Sequence, residues 1–303
     1  MDDLDFVSSP SISAKTSGIP PKIFDASNHK VPKYYDPELA LRFFKIAGST
    51  EEFSAGAKVF AEGDKYNGLF SKGANAFYLI DGQVALTRAG KPLSLILPGE
   101  TFGEMAIISK APRSADAVAR KQCRVLSLDE KRFLASLREF PDFALMLLGL
   151  IAERLQHAVE RTITTGKGPI PPRENGFALE QKQLDNLQNS IGDFAARNME
   201  PGEVIVKQGA LGQFMFVVTS GTVSMVINDV VIERIGAGCT FGELGLMGNG
   251  IRAATAIAES TGRWIAVTRE QFLATVQNSP AFGLALLRAM GERLQHINEV
   301  LGR

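Results

Sequence analysis

The apolar positions of this chain change their period part-way along, and the same change returns later. Between Phe53 and Leu128, apolar and polar residues alternate in short runs bounded by Gly, Pro and Asp, the pattern of half-buried strands. Phe53–Asp64 predicts short strands flanked by the turn residues Gly56 and Gly63. Ala76–Leu86 reads as a β-hairpin with Gly82 in its turn, Leu93–Leu97 as a strand stopped by Pro98 and Gly99, and Ala115–Leu128 as two more. From Asp129 the spacing lengthens. Asp129–Leu137 and Asp142–Thr162 repeat apolar residues every three or four positions, with Leu148, Ile151, Leu155 and Ala158 on one helical face. A helix also precedes the strands: Asp36 is its N-cap, Pro37 its first residue, Leu39, Leu41, Phe43 and Phe44 its apolar positions, and Gly48 marks its end. Strands followed by helices, rather than alternating with them, predict an α+β unit.

The pattern then starts again. Gly166–Gly176 holds Pro169, Pro171 and Pro172 and reads as a linker. Phe177–Ile191 is a second leading helix, and Pro201–Gly209 reopens the strands as Ala55–Gly63 opened them before. Gly82 and Gly221, Phe102 and Phe241, Arg113 and Arg252, and Glu153–His157 and Glu292–His296 are all 139 positions apart. Upstream, Gly56 to Gly202 and Gly63 to Gly209 are 146 apart, so the first copy carries an insertion near Lys65–Gly73, with Phe70 in it. Neutral loop growth is the default reading, because surface insertions cost little. Residues up to about Pro32 are rich in Ser, Pro, Asn and Lys without periodicity and read as a disordered arm, with Phe6, Ile23 and Phe24 as anchors if it docks. The expected organisation is an arm over 1–35, one domain over 36–165, a Pro/Gly-rich linker over 166–178 and a second domain over 179–303.

Each copy contains the same small-residue turn. The first reads Phe102, Gly103, Glu104, Met105, Ala106, then Pro112, Arg113, Ser114, Ala115. The second reads Phe241, Gly242, Glu243, Leu244, Gly245, then Ile251, Arg252, Ala253, Ala254. Backbone N–H groups in such a turn suit phosphate oxygens, the planar guanidinium suits a phosphate, and the carboxylate suits a sugar hydroxyl. Together they suit a small phosphorylated sugar such as a nucleotide.

At these residues the chain resembles the cyclic nucleotide-binding domain family. That family's phosphate-binding cassette reads approximately Phe-Gly-Glu-Leu/Met-Ala-Leu/Ile, a short spacer, then Pro-Arg-Ser/Thr/Ala-Ala. The first copy matches throughout; the second has Ile251 for the proline and Gly245 for the commoner alanine. The resemblance runs from about Phe53 to the C-terminus. It implies two tandem eight-stranded, jelly-roll-like β-rolls with flanking helices. It also implies that Arg113 and Arg252 pair with a cyclic phosphate and that Glu104 and Glu243 accept from the ribose 2′-hydroxyl. Backbone N–H groups of Met105–Ala106 and Leu244–Gly245 would meet phosphate oxygens. Ser114 after the first arginine leaves cyclic GMP open there, and Ala253 after the second leans towards cyclic AMP, the favoured ligand overall. The alternative is a roll that has lost its ligand, with Glu and Arg merely paired to each other.

Composition narrows the function further. The 303 residues hold 33 Lys+Arg and 33 Asp+Glu, so nothing supports a globally basic nucleic-acid binder. A DNA-binding regulator would need a helix-turn-helix, for which the residues after the second domain leave no room. Cys123 and Cys239 make no disulfide framework and read as buried thiols in a reducing cytoplasm. No run of 18 or more apolar residues occurs, so no membrane span is expected, and the acidic Asp2, Asp3 and Asp5 argue against a secretory signal. His157 and His296 read as ordinary helix-face residues, and no metal-ligand spacing, catalytic triad order or P-loop stands out, so no enzyme and no cofactor are expected. Leu287, Met290, Leu294, Ile297 and Leu301 have an a/d spacing that fits either packing on the second roll or a homodimer seam. The expected function is a stand-alone cytoplasmic receptor for a cyclic mononucleotide that moves its helices and signals to a protein partner. The arm resembles no pseudosubstrate, since it lacks Arg-Arg-x-Ser, and the competing function is a scaffold that binds no nucleotide.

Overall fold

The computed structural model describes residues 31–65, 74–164, 173–174, 178–191, 196–247 and 250–302. The expected arm up to residue 30 and the insertion around Phe70 lie outside these residues.

Helix α1 (Pro37–Ala47) begins as its sequence predicts: the Asp36 carboxylate accepts from the N–H groups of Glu38 and Leu39 at 2.9 and 3.0 Å. The first roll follows as β1 (Ser49–Phe53), β2 (Lys58–Phe60), β3 (Asn75–Asp81), β4 (Val84–Arg88), β5 (Lys91–Ile96) and β6 (Thr101–Phe102). A short helix α2 (Glu104–Ser109) interrupts before β7 (Asp116–Ala119) and β8 (Cys123–Asp129). Two four-stranded antiparallel sheets result, in the orders β1-β8-β3-β6 and β2-β7-β4-β5. Helices α3 (Glu130–Glu139) and α4 (Pro141–Thr164) complete the first half.

The hairpin expected at Ala76–Leu86 does not form. β3 and β4 do join at Gly82, but β3 pairs with β6 and β8, whereas β4 pairs with β5 and β7. The turn therefore passes the chain from one sheet to the other. Gly82 takes φ +102°, and a Cβ there would lie 2.4 Å from the Gln122 carbonyl oxygen, so the crossing needs the missing side chain. The hairpin lies one turn later, between β4 and β5, where Ala89 and Gly90 both take positive φ.

The second half repeats this plan. A two-residue strand β9 (Arg173–Glu174) precedes α5 (Gln181–Ile191), β10 (Arg197–Met199), β11 (Val204–Val206), β12 (Phe214–Ser220), β13 (Val223–Ile227) and β14 (Val230–Ile235). Then come β15 (Thr240–Phe241), α6 (Glu243–Met247), β16 (Thr255–Ala258), β17 (Gly262–Thr268), α7 (Arg269–Asn278) and α8 (Pro280–Gly302). Its sheets run β10-β17-β12-β15 and β11-β16-β13-β14-β9. The extra strand β9 comes from the segment read as linker and pairs in parallel with β14.

Each roll has its own aromatic interior. Phe77 stacks on Phe102 at 5.1 Å in the first, and Phe216 on Phe241 at 4.9 Å in the second. The helices form a third core that belongs to both halves. Phe43 stacks on Phe143 at 3.7 Å in it, and α4 and α8 lie against each other. Each long helix also reaches the other half: α8 packs on α2, where Gly291 faces Ile108 and Met105, and α4 packs on α6. Leu287, Met290, Leu294 and Ile297 are accordingly buried inside the chain. Their a/d spacing is used for an intramolecular helix pair, which neither sequence reading anticipated.

A shared helical core makes the halves unfold together. Phe143→Ala removes a ring buried to 0% exposure and is expected to cost about 3–5 kcal/mol. Trp264, the one tryptophan of the chain, sits in the second roll and reports that roll's unfolding by fluorescence. In urea its transition moves to lower denaturant in Phe143→Ala; an unchanged Trp264 transition would show that the two halves are independent.

Candidate functional site

Both cassettes are built the same way. A two-residue strand (β6 or β15) ends in a phenylalanine committed to the roll's aromatic interior. The next residue, Gly103 or Gly242, turns the chain at φ +81° into the short helix. A Cβ at Gly103 would lie 2.9 Å from Arg113 Nη1, and at Gly242 2.6 Å from Arg252 Nη1. The glycines thus serve the turn and the close approach of the guanidinium together.

The two arginines are buried. Arg113 donates from Nη1 to the Gly103 carbonyl at 2.6 Å and from Nη2 to the Asn75 carbonyl at 2.8 Å, with its Cζ 4.1 Å from the Phe60 ring centroid. Burial lowers its pKa to about 10, against the pull of Glu104 and Asp64, so it stays charged at neutral pH. Arg252 donates to the Gly242 carbonyl at 2.8 Å and lies 5.2 Å from the Phe216 ring; burial lowers its pKa too, against Glu243. Neither arginine forms an ion pair with its cassette glutamate among the described residues.

The glutamates have other partners. Glu104, 4% exposed, pairs with Arg154 of α4 at 3.1 Å. Glu243, 2% exposed, pairs with Arg293 of α8, which also donates to the Thr240 carbonyl. Arg154 and Arg293 are 139 positions apart, inside the repeated Glu-Arg-Leu-Gln-His segment. The repeat was visible in the sequence, but nothing local tied its arginine to the cassette.

Burial separates the two pairs. The Arg154 side chain is 44% exposed, so its bond to Glu104 is worth roughly 1 kcal/mol or less. The Arg293 side chain is 12% exposed, and Glu233 of β14 holds its Nε at 2.9 Å. Burial by itself lowers the pKa of Arg293, but the carboxylates of Glu233 and Glu243 overcome this and leave it raised.

The second cassette opens into a cavity of about 80 Å³. Arg252, Glu243 and Arg293 line it with Leu155 and Val159, which belong to α4 of the first half. His296, read from sequence as an ordinary helix-face residue, is part of the wall, as are Glu233 and Arg173. The remaining sequence-predicted residues separate by exposure. Ala115 and Ala254 are buried behind their arginines, and Pro112 and Ser114 are exposed. The Gly245 N–H donates to the Gly242 carbonyl at 3.1 Å, which closes the turn rather than pointing outward. The loop carrying Ile251 in place of proline is tied down by Gly212 N–H to Gly250 O at 2.7 Å and Arg252 N–H to Ala210 O at 2.9 Å. Cys123 and Cys239 are both buried, and burial raises both thiol pKa values. Among the described residues, no group of three or more His, Cys, Asp or Glu is placed to hold a metal ion. No helix there is long and apolar enough to cross a membrane.

Comparison with known proteins finds the same two regions. The model of the family described as "Cyclic nucleotide-binding domain" matches residues 50–140 and 196–279. The cyclic AMP receptor protein of Thermus thermophilus is 34% identical over 204 residues, covering 57% of this chain and 89% of that protein. The cGMP-dependent protein kinase of Plasmodium berghei is 25% identical over 212 residues, covering 70% of this chain and 22% of the kinase. The chain therefore aligns with about a fifth of that kinase. The regulatory domain of Toxoplasma gondii PKA solved with cAMP is 20% identical, with 80% of this chain and 87% of that one covered and a TM-score of 0.30.

The glycine turn is directly testable. Gly242→Ala puts a methyl against Arg252 at a positive φ and is expected to cost about 1–2 kcal/mol, read as a lower unfolding midpoint. Gly202→Ala, at φ +84° with nothing within 4 Å, isolates the strain of the positive φ from the clash. Equal losses in the two variants would show that the guanidinium imposes no constraint at Gly242.

Proposed function

The chain belongs to the cyclic nucleotide-binding domain family, and we propose that it is a two-site receptor for cyclic mononucleotides, cyclic AMP first, that signals to a protein partner. One observation carries this reading. Each cassette buries a guanidinium whose described acceptors are neutral carbonyls, with no carboxylate paired to it. A desolvated cation without a directly paired carboxylate is a poor structural element but a good receptor for a monoanion. The competing scaffold predicts the cassette Glu and Arg spent on each other, whereas here each has a separate partner.

In this mechanism the cyclic phosphate lies against Arg113 or Arg252, in bidentate or single contact. The ribose 2′-hydroxyl donates to Glu104 or Glu243, each held by the arginine of a long helix. The base then faces the walls that α4 and α8 supply. The second cavity, about 80 Å³, is smaller than the roughly 300–1,000 Å³ of clefts that bury small ligands. Ligand therefore has to part Leu155 and Val159 from the roll, which moves α4. Neighbouring residues of α4 thus bear on both sites, since Arg154 holds Glu104 while Leu155 walls the other cavity. Binding signals only as far as the two helix arrangements differ in affinity for the ligand. The similarity to the Thermus thermophilus cyclic AMP receptor protein supports cyclic AMP as ligand, and the kinase relative keeps cyclic GMP as the second candidate. A cytoplasmic location and a non-enzymatic role belong to the same proposal.

Calorimetric titration with cyclic AMP and cyclic GMP tests the reading. Two transitions are expected, one for each buried cassette arginine. Arg113→Ala and Arg252→Ala each abolish one transition or weaken it at least about tenfold. No heat and no thermal stabilisation with either nucleotide would leave the scaffold as the function.

A further inference from the structure

We propose that Arg173, delivered by strand β9, is a positioning residue of the second site: with Glu233 it fixes Arg293 on the cassette glutamate Glu243. The proposal rests on the nucleotide-binding reading of that site and adds to it a residue from outside the roll.

The observations form one chain of alternating charge. Arg173 contacts Glu233 Oε1 from Nη1 at 3.3 Å and Glu292 of α8 from Nη2. The other oxygen of Glu233 holds Arg293 Nε at 2.9 Å, and Arg293 Nη1 holds Glu243. Glu233, 5% exposed, is thus shared between two guanidiniums, one on each oxygen. The backbone places Arg173 there. β9 lies in parallel register with β14, Arg173 opposite Glu233, and Glu174 anchors it through Arg234 at 2.8 Å. Arg234 is itself held by Glu259 at 2.9 Å.

This pair has no copy in the first roll, where Ser94 stands 139 positions before Glu233. Among the charged residues that line the cavity, Arg173, Arg252 and Arg293 against Glu233 and Glu243 give one net positive charge; Glu292, which Arg173 also holds, is not part of the lining. Removing Arg173 alone takes that charge away. Glu233 stays buried as an anion with Arg293 as its remaining cation, draws Arg293 off Glu243, and brings the lining charge to zero. Removing Glu233 as well restores the simpler arrangement of the first site.

The test is calorimetric titration of the full chain with cyclic AMP, comparing wild type, Arg173→Ala, Glu233→Ser and the double variant, with Arg173→Gln in reserve if the alanine variant folds poorly. Arg173→Ala weakens the Arg252-dependent transition about tenfold or more and leaves the Arg113-dependent one unchanged. Glu233→Ser alone weakens it less than Arg173→Ala does, and the double variant binds more tightly than Arg173→Ala, within about threefold of wild type, a coupling that a double-mutant cycle reads directly. A purely structural role predicts instead that the losses add, so that the double variant is no better than the worse single variant; that result overturns the assignment. So does an Arg252-dependent transition that Arg173→Ala and Arg173→Gln leave untouched. If wild-type protein shows no Arg252-dependent transition at all, the nucleotide reading of the second site falls, and the assignment falls with it.

Discussion

Helices α4 and α8 bury their apolar faces against each other, and the geometry of both cassettes depends on that contact. Each helix ends a roll, so each is fixed at its start by its own half. Their pairing then carries each across to the other half's cassette helix. Burial of Leu287, Met290, Leu294 and Ile297 supplies the driving force, at about 1.5–3 kcal/mol for a fully buried side chain of this kind. An exposed ion pair, at about 0–1 kcal/mol, does not approach the sum of these contributions. The polar bonds of the sites are therefore positioned by an apolar interface and do not hold it together.

The same contact makes the two sites unequal. Both long helices present an arginine to a cassette glutamate, at repeat-equivalent positions. In the first half that arginine is nearly half exposed and has one carboxylate partner. In the second it is buried between Glu233 and Glu243, with Arg173 brought alongside by the added strand. Duplication of one sequence unit has thus produced one site whose glutamate pair water can compete for and one whose pair is buried. The groups that bury it come from the linker and from β14, not from the cassette.

A buried ion-pair chain is a poor source of stability, because desolvation of each charge offsets most of the attraction. Its value here is geometric. Arg293 has three acceptors, the carboxylates of Glu233 and Glu243 and the Thr240 carbonyl, which leaves it little rotational freedom. Glu243 is then held in one orientation without help from Arg252, whose guanidinium remains for an anion.

The sequence determined whatever is local and periodic. Asp36 and Pro37 specified the start of α1, the shift from period two to period three or four separated strands from helices, and the 139-residue offset revealed two copies of one unit. The cassettes were legible because their chemistry is contiguous: glycine turn, carboxylate and guanidinium lie within about one loop of each other. What the sequence could not specify was pairing at a distance. Gly82 looked like a hairpin turn because a local signal says that the chain reverses, not which strand it then joins; only the two-sheet packing sends β3 and β4 apart. The a/d face of α8 said that an apolar partner exists, and only the tertiary structure decided that the partner is α4 of the same chain. Arg154 and Arg293 reach the cassette glutamates from 50 residues along the chain, Glu233 from the strand β14 beside the second cassette, and Arg173 from a segment that reads as a linker. Their roles come from burial and charge pairing, which exist only once the two halves have closed on each other.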